Sequence, residues 1–168
     1  MIELAGELAD GVIFNLFPLT RYPRALAALR RGAQRGGREP GSLEVCHFTT
    51  CYLGPDRRAA LHEAKRMLAR YANLPFYRNM LAASGFGDDV AAVRVAWRAR
   101  DVAAAEAAVS DTMADAVTLV GDPERCRARL AEYRAAGATR TIVFPNPVGE
   151  SRSESVARAL AAFAPTAL

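Results

Sequence analysis

The sequence predicts an α/β protein with a parallel sheet, and three observations indicate this class. Short β-branched and aromatic runs alternate along the chain with segments of helical periodicity. The last of these runs follows its helix after a short connection at Gly137, which is typical of helix-to-strand links between parallel strands. The chain has 168 residues, of which 51% are hydrophobic and 24% charged, enough for one globular core. Because it has neither an internal repeat nor a low-complexity linker, we expect residues 1–168 to form a single domain.

A strand, a helix and a second strand are expected in the first third of the chain. The first strand is the apolar run of residues 12–17, Val-Ile-Phe-Asn-Leu-Phe, which Pro18 ends. Apolar residues at helical spacing follow Pro23 and stop at Gly36-Gly37, where a helix terminus is expected. A run rich in Val, Phe, Thr and Tyr then predicts a strand from Leu43 to Leu53. This order is that of a βαβ unit.

The stretch between Leu53 and Thr139 is Ala-rich with helical periodicity and predicts several short helices with no strand. Its clearest helix begins at Asp122, whose side chain is placed to cap free backbone amides, with Pro123 in the first turn. The apolar residues of this helix form the expected buried stripe: Cys126, Leu130 and Tyr133.

A third strand and a final helix complete the prediction. The strand is expected at residues 141–144, Thr-Ile-Val-Phe, and is closed by Pro145. The helix is expected from Ser153 to Phe163. The fold therefore has about three parallel strands, with a helical insertion before the third.

Charge and composition argue against two classes of function. The 22 basic and 18 acidic residues give a formal net charge of only +4, and the Arg residues are scattered rather than clustered on one face, so we expect no nucleic-acid partner. No apolar run approaches the roughly 18 residues of a membrane span. The amino terminus is acidic rather than a basic signal peptide, so we expect no membrane partner and a cytoplasmic location.

The cysteines and histidines predict no metal site. Cys46 and Cys51 lie five residues apart in a strand-like run, so their side chains point to opposite faces and a disulfide between them is not expected. The spacing of His47 and His62 matches no zinc pattern. We expect the Cys residues, including Cys126, to be small buried hydrophobes. His47 is expected to be packed or hydrogen-bonded and His62 to be solvated.

Three segments, in this order and spacing, resemble one family. They are residues 4–12 (Leu-Ala-Gly-Glu-Leu-Ala-Asp-Gly-Val), residues 32–40 (Gly-Ala-Gln-Arg-Gly-Gly-Arg-Glu-Pro) and residues 120–126 (Val-Gly-Asp-Pro-Glu-Arg-Cys), followed by Leu130, Tyr133, Ala136 and Gly137. The chain is similar to the carboxyl-terminal part of the bacterial luciferase-like flavin- or deazaflavin-dependent oxidoreductases. It is particularly similar to the branch of methylenetetrahydromethanopterin reductase.

The resemblance implies a fold, a cofactor and a partner. Members of this family are barrels of the triosephosphate isomerase (TIM) type, so the three predicted strands would be the last three barrel strands and residues 55–117 the insertion before the eighth. The resemblance covers only about the last half of a family member, and a closed barrel needs about 250 residues. We therefore expect a partial TIM-type barrel completed or covered by oligomerisation, with another copy or a separately encoded half-barrel subunit as partner. The implied cofactor is FMN or a deazaflavin coenzyme.

Six residues at the carboxyl ends of the predicted strands are candidates for cofactor or substrate binding, because catalytic groups of such barrels come from these strand ends. They are Asn15, Phe17, Thr49, Thr50, Tyr52 and Asn146. The polar side chains are suited to hydrogen-bond a flat heterocycle or a substrate carbonyl, and Phe17 or Tyr52 to stack on it. A role as turn former competes for Asn15, and simple packing on the strand competes for the Thr and Tyr residues. No catalytic residue is assigned.

Three functions stay open at this point. The resemblance implies a luciferase-like monooxygenase or reductase module in which the cofactor supplies the redox chemistry. A non-redox small-molecule-binding protein, or a cyclase-like or isomerase-like enzyme, is the alternative use of the same scaffold. The third is a non-catalytic subunit, since unpaired strand edges call for a partner chain.

Overall fold

The computed structural model describes residues 1–164, in which helices and parallel strands alternate. The strands are β1 (Gly11–Asn15), β2 (Glu44–Leu53), β3 (Leu119–Gly121) and β4 (Arg140–Pro145). The α-helices are α1 (Ile2–Leu8), α2 (Tyr22–Arg35), α3 (Arg57–Asn73), α4 (Pro75–Leu81), α5 (Gly87–Arg98), α6 (Val102–Ala107), α7 (Asp111–Val117), α8 (Pro123–Ala135) and α9 (Arg152–Phe163). Short 3₁₀ turns lie at Leu19–Arg21 and Pro40–Ser42, and a π-helical turn joins α4 to α5.

Strand β2 is the centre of the sheet. Strand β1 pairs with it in parallel, from Gly11 opposite Glu44 to Asn15 opposite Phe48. Strand β3 pairs in parallel with its last three residues, and β4 also pairs with β2. The predicted α/β class and its parallel strands are therefore confirmed, and within residues 1–164 the sheet does not close into a barrel.

Two details of the strands differ from the prediction. Strand β3 was not expected, because three residues are too few to show the alternation that marks a strand in a sequence. The first strand ends at Asn15 rather than at Phe17, because Leu16 adopts a φ of 49° and turns the chain out of the sheet. Leu16 is nevertheless buried, so the apolar run predicts the core correctly and the end of the strand incorrectly.

Met1–Thr49 and Ala128–Phe144 form one compact unit. Its aromatic core lies on the helix side of the sheet, where Phe14 and His47 of the strands meet Tyr22 of α2 and Tyr133 of α8. Helix α1 packs against α2, and Glu3 on it binds two arginines of α2.

The opposite face of the sheet in this unit is partly exposed and apolar. Ile13 of β1 is 64% exposed and Phe144 of β4 is 40% exposed. Phe144 stacks on Phe48 of β2, with ring centroids 5.9 Å apart. An ion pair between Arg140 and Glu44, 2.8 Å long, lies where β4 and β2 begin. We call the face of Ile13, Phe48 and Phe144 the bare sheet face.

Residues 50–127 and 145–164 form the second compact unit, which contains the predicted helical insertion. Its helices begin at side-chain caps: Asp56 accepts from the amides of Arg58 and Ala59, and Ser110 accepts from that of Met113. Asp122 accepts from the amide of Arg125 at 2.9 Å, as its position before Pro123 predicts. Along the part of the chain described here, no helix is both long enough and apolar enough to cross a membrane.

Candidate active-site cavity

A cavity of about 370 Å³ lies in the second unit, where strands β2 and β4 end. Tyr52 near the end of β2 and Asn146 just after β4 line it together with helix α3. The α3 residues on its wall include a carboxylate, two guanidinium groups and a phenol ring: Glu63, Arg66, Arg70 and Tyr71. A volume of this size lies within the range of pockets that hold small ligands.

Tyr52 supplies a hydroxyl group to the cavity. The residue is only 3% exposed, and its hydroxyl has no hydrogen-bond partner among residues 1–164 and is open to the cavity. Burial raises its pKa above the usual value, and the nearby carboxylate of Glu63 raises that pKa further. The hydroxyl is therefore protonated at neutral pH and available as a hydrogen-bond donor.

The charges of helix α3 leave the cavity with a surplus positive charge. Arg66 donates to both carboxylate oxygens of Glu63, at 2.8 and 3.1 Å, and its Nε lies 3.9 Å from Glu106. Arg70 lies one turn further along the same helix face. Within residues 1–164, no carboxylate lies within 4 Å of Arg70.

Asn146 is held at the cavity by the backbone. Its N–H donates to the carbonyl oxygen of Cys51 at 2.8 Å, which fixes the chain as it leaves β4. Pro147 follows on the cavity wall. The carboxyl ends of two neighbouring strands thus place two polar side chains, Tyr52 and Asn146, beside one helix face.

The structure brings together two of the six candidate residues and places the others elsewhere. Thr50 is buried in the second unit and does not line the cavity. In the first unit Asn15 is half-buried and Thr49 is fully buried. Phe17 is also buried, and its ring stacks on Phe14 with centroids 4.3 Å apart.

Sequence reasoning missed the α3 side of the cavity. The sequence analysis assigns no binding role to the charged residues of this helix, because a charged helix face is usually solvated. The available signal was the spacing of Glu63, Arg66 and Arg70, which places all three on one face directly after a strand end.

The histidines are placed as the sequence analysis expects. His47 is fully buried, its Nδ1 lies 2.8 Å from the hydroxyl of Tyr22, and its ring stacks on Tyr133 at 3.6 Å. Burial lowers the pKa of His47 to about 3, and the charge of Arg129 adds to this effect. His62 is exposed on α3.

All three cysteines are buried and reduced, as expected. Cys51 of β2 and Cys126 of α8 are hydrogen-bonded to each other, and this bond together with burial raises the pKa of Cys51. In the described part of the chain, no group of three His, Cys, Asp or Glu residues is arranged to hold a metal ion.

Comparison with known proteins identifies the family. The sequence model described as luciferase-like monooxygenase matches residues 1–140. The chain belongs to the luciferase-like monooxygenase family. The family predicted from the three sequence segments is thereby confirmed.

The curated relatives of this luciferase-like chain include reductases of archaea. The 5,10-methylenetetrahydromethanopterin reductase of Methanolobus tindarius is 26% identical over 160 residues, which are 93% of this chain and 48% of the relative. The enzyme of the same name from Methanopyrus kandleri is 25% identical, and the match covers 93% of this chain and 44% of that relative. A putative coenzyme F420-dependent oxidoreductase of Mycobacterium tuberculosis is 25% identical, and the match covers 84% of this chain and 43% of that relative. The chain spans about half the length of the curated relatives it matches.

Solved structures agree with the family at the level of the fold. The coenzyme F420-dependent tetrahydromethanopterin reductase of Methanopyrus kandleri matches with a TM-score of 0.76 at 24% identity, over 93% of this chain and 45% of that one. An F420-dependent secondary alcohol dehydrogenase, in complex with an F420–acetone adduct, matches with a TM-score of 0.60 at 15% identity, over 85% and 39%. The luciferase-like chain therefore has the fold of part of a TIM-type barrel, as predicted.

Proposed function

We propose that this chain is part of an oxidoreductase that uses a deazaflavin coenzyme and binds ligand in the cavity at Tyr52 and Asn146. Membership of the luciferase-like family supports an oxidoreductase module. Several similar proteins are described as F420-dependent, which favours coenzyme F420 over FMN, the other coenzyme that the sequence resemblance implies. The observation that carries the proposal is the meeting of Tyr52 and Asn146, from two neighbouring strand ends, in one cavity.

The residues of the cavity are of the types that such a coenzyme needs. A flavin or deazaflavin combines a flat heterocycle, whose edge accepts hydrogen bonds, with a side chain that carries a phosphate. Tyr52 offers a neutral hydroxyl donor to the heterocycle or a substrate carbonyl, and Arg66 and Arg70 offer positive charge to the side chain. When bound, the coenzyme supplies hydride transfer. The residues of this chain would orient it and limit the access of water.

Binding of the coenzyme to the purified full chain tests the proposal. Coenzyme F420 and FMN are titrated separately, and binding is followed by the change in their absorbance and fluorescence. We expect saturable binding that is tighter for F420 than for FMN. Tyr52→Phe removes one hydroxyl from the cavity and should weaken F420 binding by about threefold to tenfold. Tyr77→Phe removes a phenol hydroxyl from outside the cavity wall and should not. Absence of any spectral change or thermal stabilisation with either coenzyme would contradict the proposal.

We further propose that a second copy of the chain covers the bare sheet face. This face exposes Ile13 and Phe144, and large exposed apolar patches mark interaction sites. At the end of this face where β2 and β4 begin, the charges of Glu44 and Arg140 cancel in an ion pair, so these two residues do not repel an identical face. A symmetric dimer brings the same surface of both copies together.

Sedimentation of the purified chain tests the dimer. We expect a dimer at micromolar concentration that Ile13→Glu converts to a monomer, because the substitution buries an unpaired charge in the interface. Leu8 is also apolar and is 72% exposed, but it lies on α1 and not on the bare sheet face, so Leu8→Glu should leave the dimer intact. A monomeric wild-type chain, or equal effects of both variants, would show that the bare sheet face does not pair with itself.

A further inference from the structure

We infer that the cavity contains a subsite for an oxyanion, a phosphate or a carboxylate group of the ligand, bound by the Arg70 guanidinium and the Tyr52 hydroxyl. This inference deepens the proposed function, on which it depends for the identification of the cavity as the ligand site.

The charged residues on the cavity wall favour an anionic ligand group. One carboxylate, that of Glu63, lies on this wall with two guanidinium groups, those of Arg66 and Arg70, and both oxygens of Glu63 accept from Arg66. Arg70 has no such partner among the described residues. The surplus positive charge therefore belongs to Arg70, and it favours a ligand group with a negative charge.

Arg70 and Tyr52 both offer hydrogen-bond donors to a ligand in the cavity. A guanidinium group has five N–H donors and no acceptor, arranged in a fork that matches carboxylate and phosphate oxygens. The Tyr52 side chain is almost fully buried, and its hydroxyl is protonated and has no hydrogen-bond partner among residues 1–164. The hydroxyl oxygen itself is open to the cavity, so a ligand that supplies an acceptor at this position gains a hydrogen bond. An oxyanion has enough lone pairs to accept from both residues at once.

The carboxylate of Glu63 is the acidic group on the same wall. It is close enough to raise the pKa of Tyr52, yet it accepts no hydrogen bond from that hydroxyl. Its two oxygens are instead held by Arg66 within the same helix turn. Glu63 therefore orients Arg66 and leaves Tyr52 and Arg70 to the ligand.

The test is an NMR titration of the full chain with sodium phosphate and, separately, with sodium acetate. Ionic strength is kept constant with sodium chloride, and the side-chain N–H signals of arginine are followed together with the backbone amides. We expect saturable shifts at the end of α3 and at Tyr52. Arg70→Met retains the apolar stem and removes the charge, and it should weaken binding by about tenfold or more, the usual effect of losing a charge-assisted hydrogen bond. Tyr52→Phe should weaken binding by about threefold to tenfold.

Arg94→Met is the matched control, because Arg94 is an exposed arginine of α5 in the same unit that does not line the cavity. It should leave both titrations unchanged. Tighter binding of phosphate than of acetate assigns the subsite to a phosphate-bearing ligand such as the coenzyme, and the reverse order assigns it to a carboxylate of the substrate. Absence of saturable shifts at Arg70, or equal losses in the Arg70 and Arg94 variants, would overturn the inference.

The two proposals for this cavity fail in different ways. If F420 binds the wild-type chain and neither anion binds at Arg70, the oxyanion subsite is wrong and the coenzyme proposal stands. If the anions bind through Arg70 and no coenzyme binds, the subsite stands and the proposed cofactor is wrong.

Discussion

The hydroxyl of Tyr22 lies 2.8 Å from Nδ1 of His47, inside the aromatic core of the first unit. Tyr133 stacks on the face of the imidazole ring, and the guanidinium carbon of Arg129 lies 5.1 Å from the centroid of the Tyr133 ring. Nε2 of His47 has no hydrogen-bond partner in the described part of the chain. A positively charged imidazolium in this position would be both desolvated and close to a guanidinium group, so the folded state holds His47 neutral.

Acidification should therefore destabilise the first unit through His47. In the folded chain the pKa of His47 is lowered to about 3, whereas an unfolded histidine has a pKa of about 6.5. Between these values only the unfolded state binds the proton, so stability is complete above pH 6.5 and is lost as the pH falls toward 3. Urea unfolding should show that the free energy of unfolding falls by about 2 kcal/mol between pH 7 and pH 5 because of His47 alone.

The matched variants for this prediction are His47→Gln and His62→Gln. Gln at position 47 cannot gain a proton, so the variant should lose most of the pH dependence between pH 7 and pH 5. His62 is exposed on α3, and its replacement should leave that dependence as in the wild type. A pH dependence that is the same in all three proteins would show that the folded state does not resist protonation of His47.

Gly32 should tolerate no side chain, because helix α2 approaches α1 backbone to backbone at this residue. A methyl group placed there would overlap the carbonyl oxygen of Glu3. We expect Gly32→Ala to destabilise the chain by about 1–3 kcal/mol, the usual cost of overpacking. Gly87 begins α5 with open space around it, so Gly87→Ala should be neutral or slightly stabilising. Thermal unfolding of both variants checks the prediction, and equal midpoints would contradict it.

The parts of the fold that the sequence predicts are those fixed by local chemistry. The run of β-branched and aromatic residues predicts β2 within one residue of its start, because a strand buried on both faces needs such residues throughout. Asp122 with Pro123 predicts the start of α8, because the free amides at the start of a helix require a cap. Strand β3 has no comparable local signal, because its three residues are defined by pairing with β2.

The candidate site is predictable only where it coincides with a strand end. Tyr52 and Asn146 were identified because the carboxyl ends of parallel strands meet at one edge of a sheet. Phe17 also follows a strand, but the turn at Leu16 carries its ring onto Phe14. Arg70 is a surface residue by its helix pattern, and only tertiary structure shows that it shares a cavity with Tyr52.

The three thiols should differ in reactivity in the order of their burial. Cys46 is 8% exposed, whereas Cys51 and Cys126 are each 1% exposed. In native protein, iodoacetamide should label Cys46 first, and the other two only as fast as the chain opens, because a buried thiol is inert. Mass spectrometry of peptides checks this order, with Cys46→Ala as the control that removes the early label. Early labelling of Cys51 or Cys126 would show that the second unit opens more readily than its packing indicates.

The indole of Trp97 should stabilise the helix that carries the cavity arginines. Its Nε1 donates to the carbonyl oxygen of Ala69 at 2.7 Å, and Ala69 directly precedes Arg70 on α3. Trp97→Phe keeps an aromatic ring and removes the donor, so we expect a loss of about 1 kcal/mol in the free energy of unfolding. Val95 lies on α5, as Trp97 does, and is 66% exposed, so Val95→Ala should lower the free energy of unfolding by less than about 0.5 kcal/mol. The hydrogen bond from Trp97 to Ala69 is adjacent to Arg70. Trp97→Phe should therefore also weaken phosphate binding in the NMR titration, whereas Val95→Ala should not. Unchanged stability and phosphate affinity in the Trp97 variant would show that α3 holds its position without this bond.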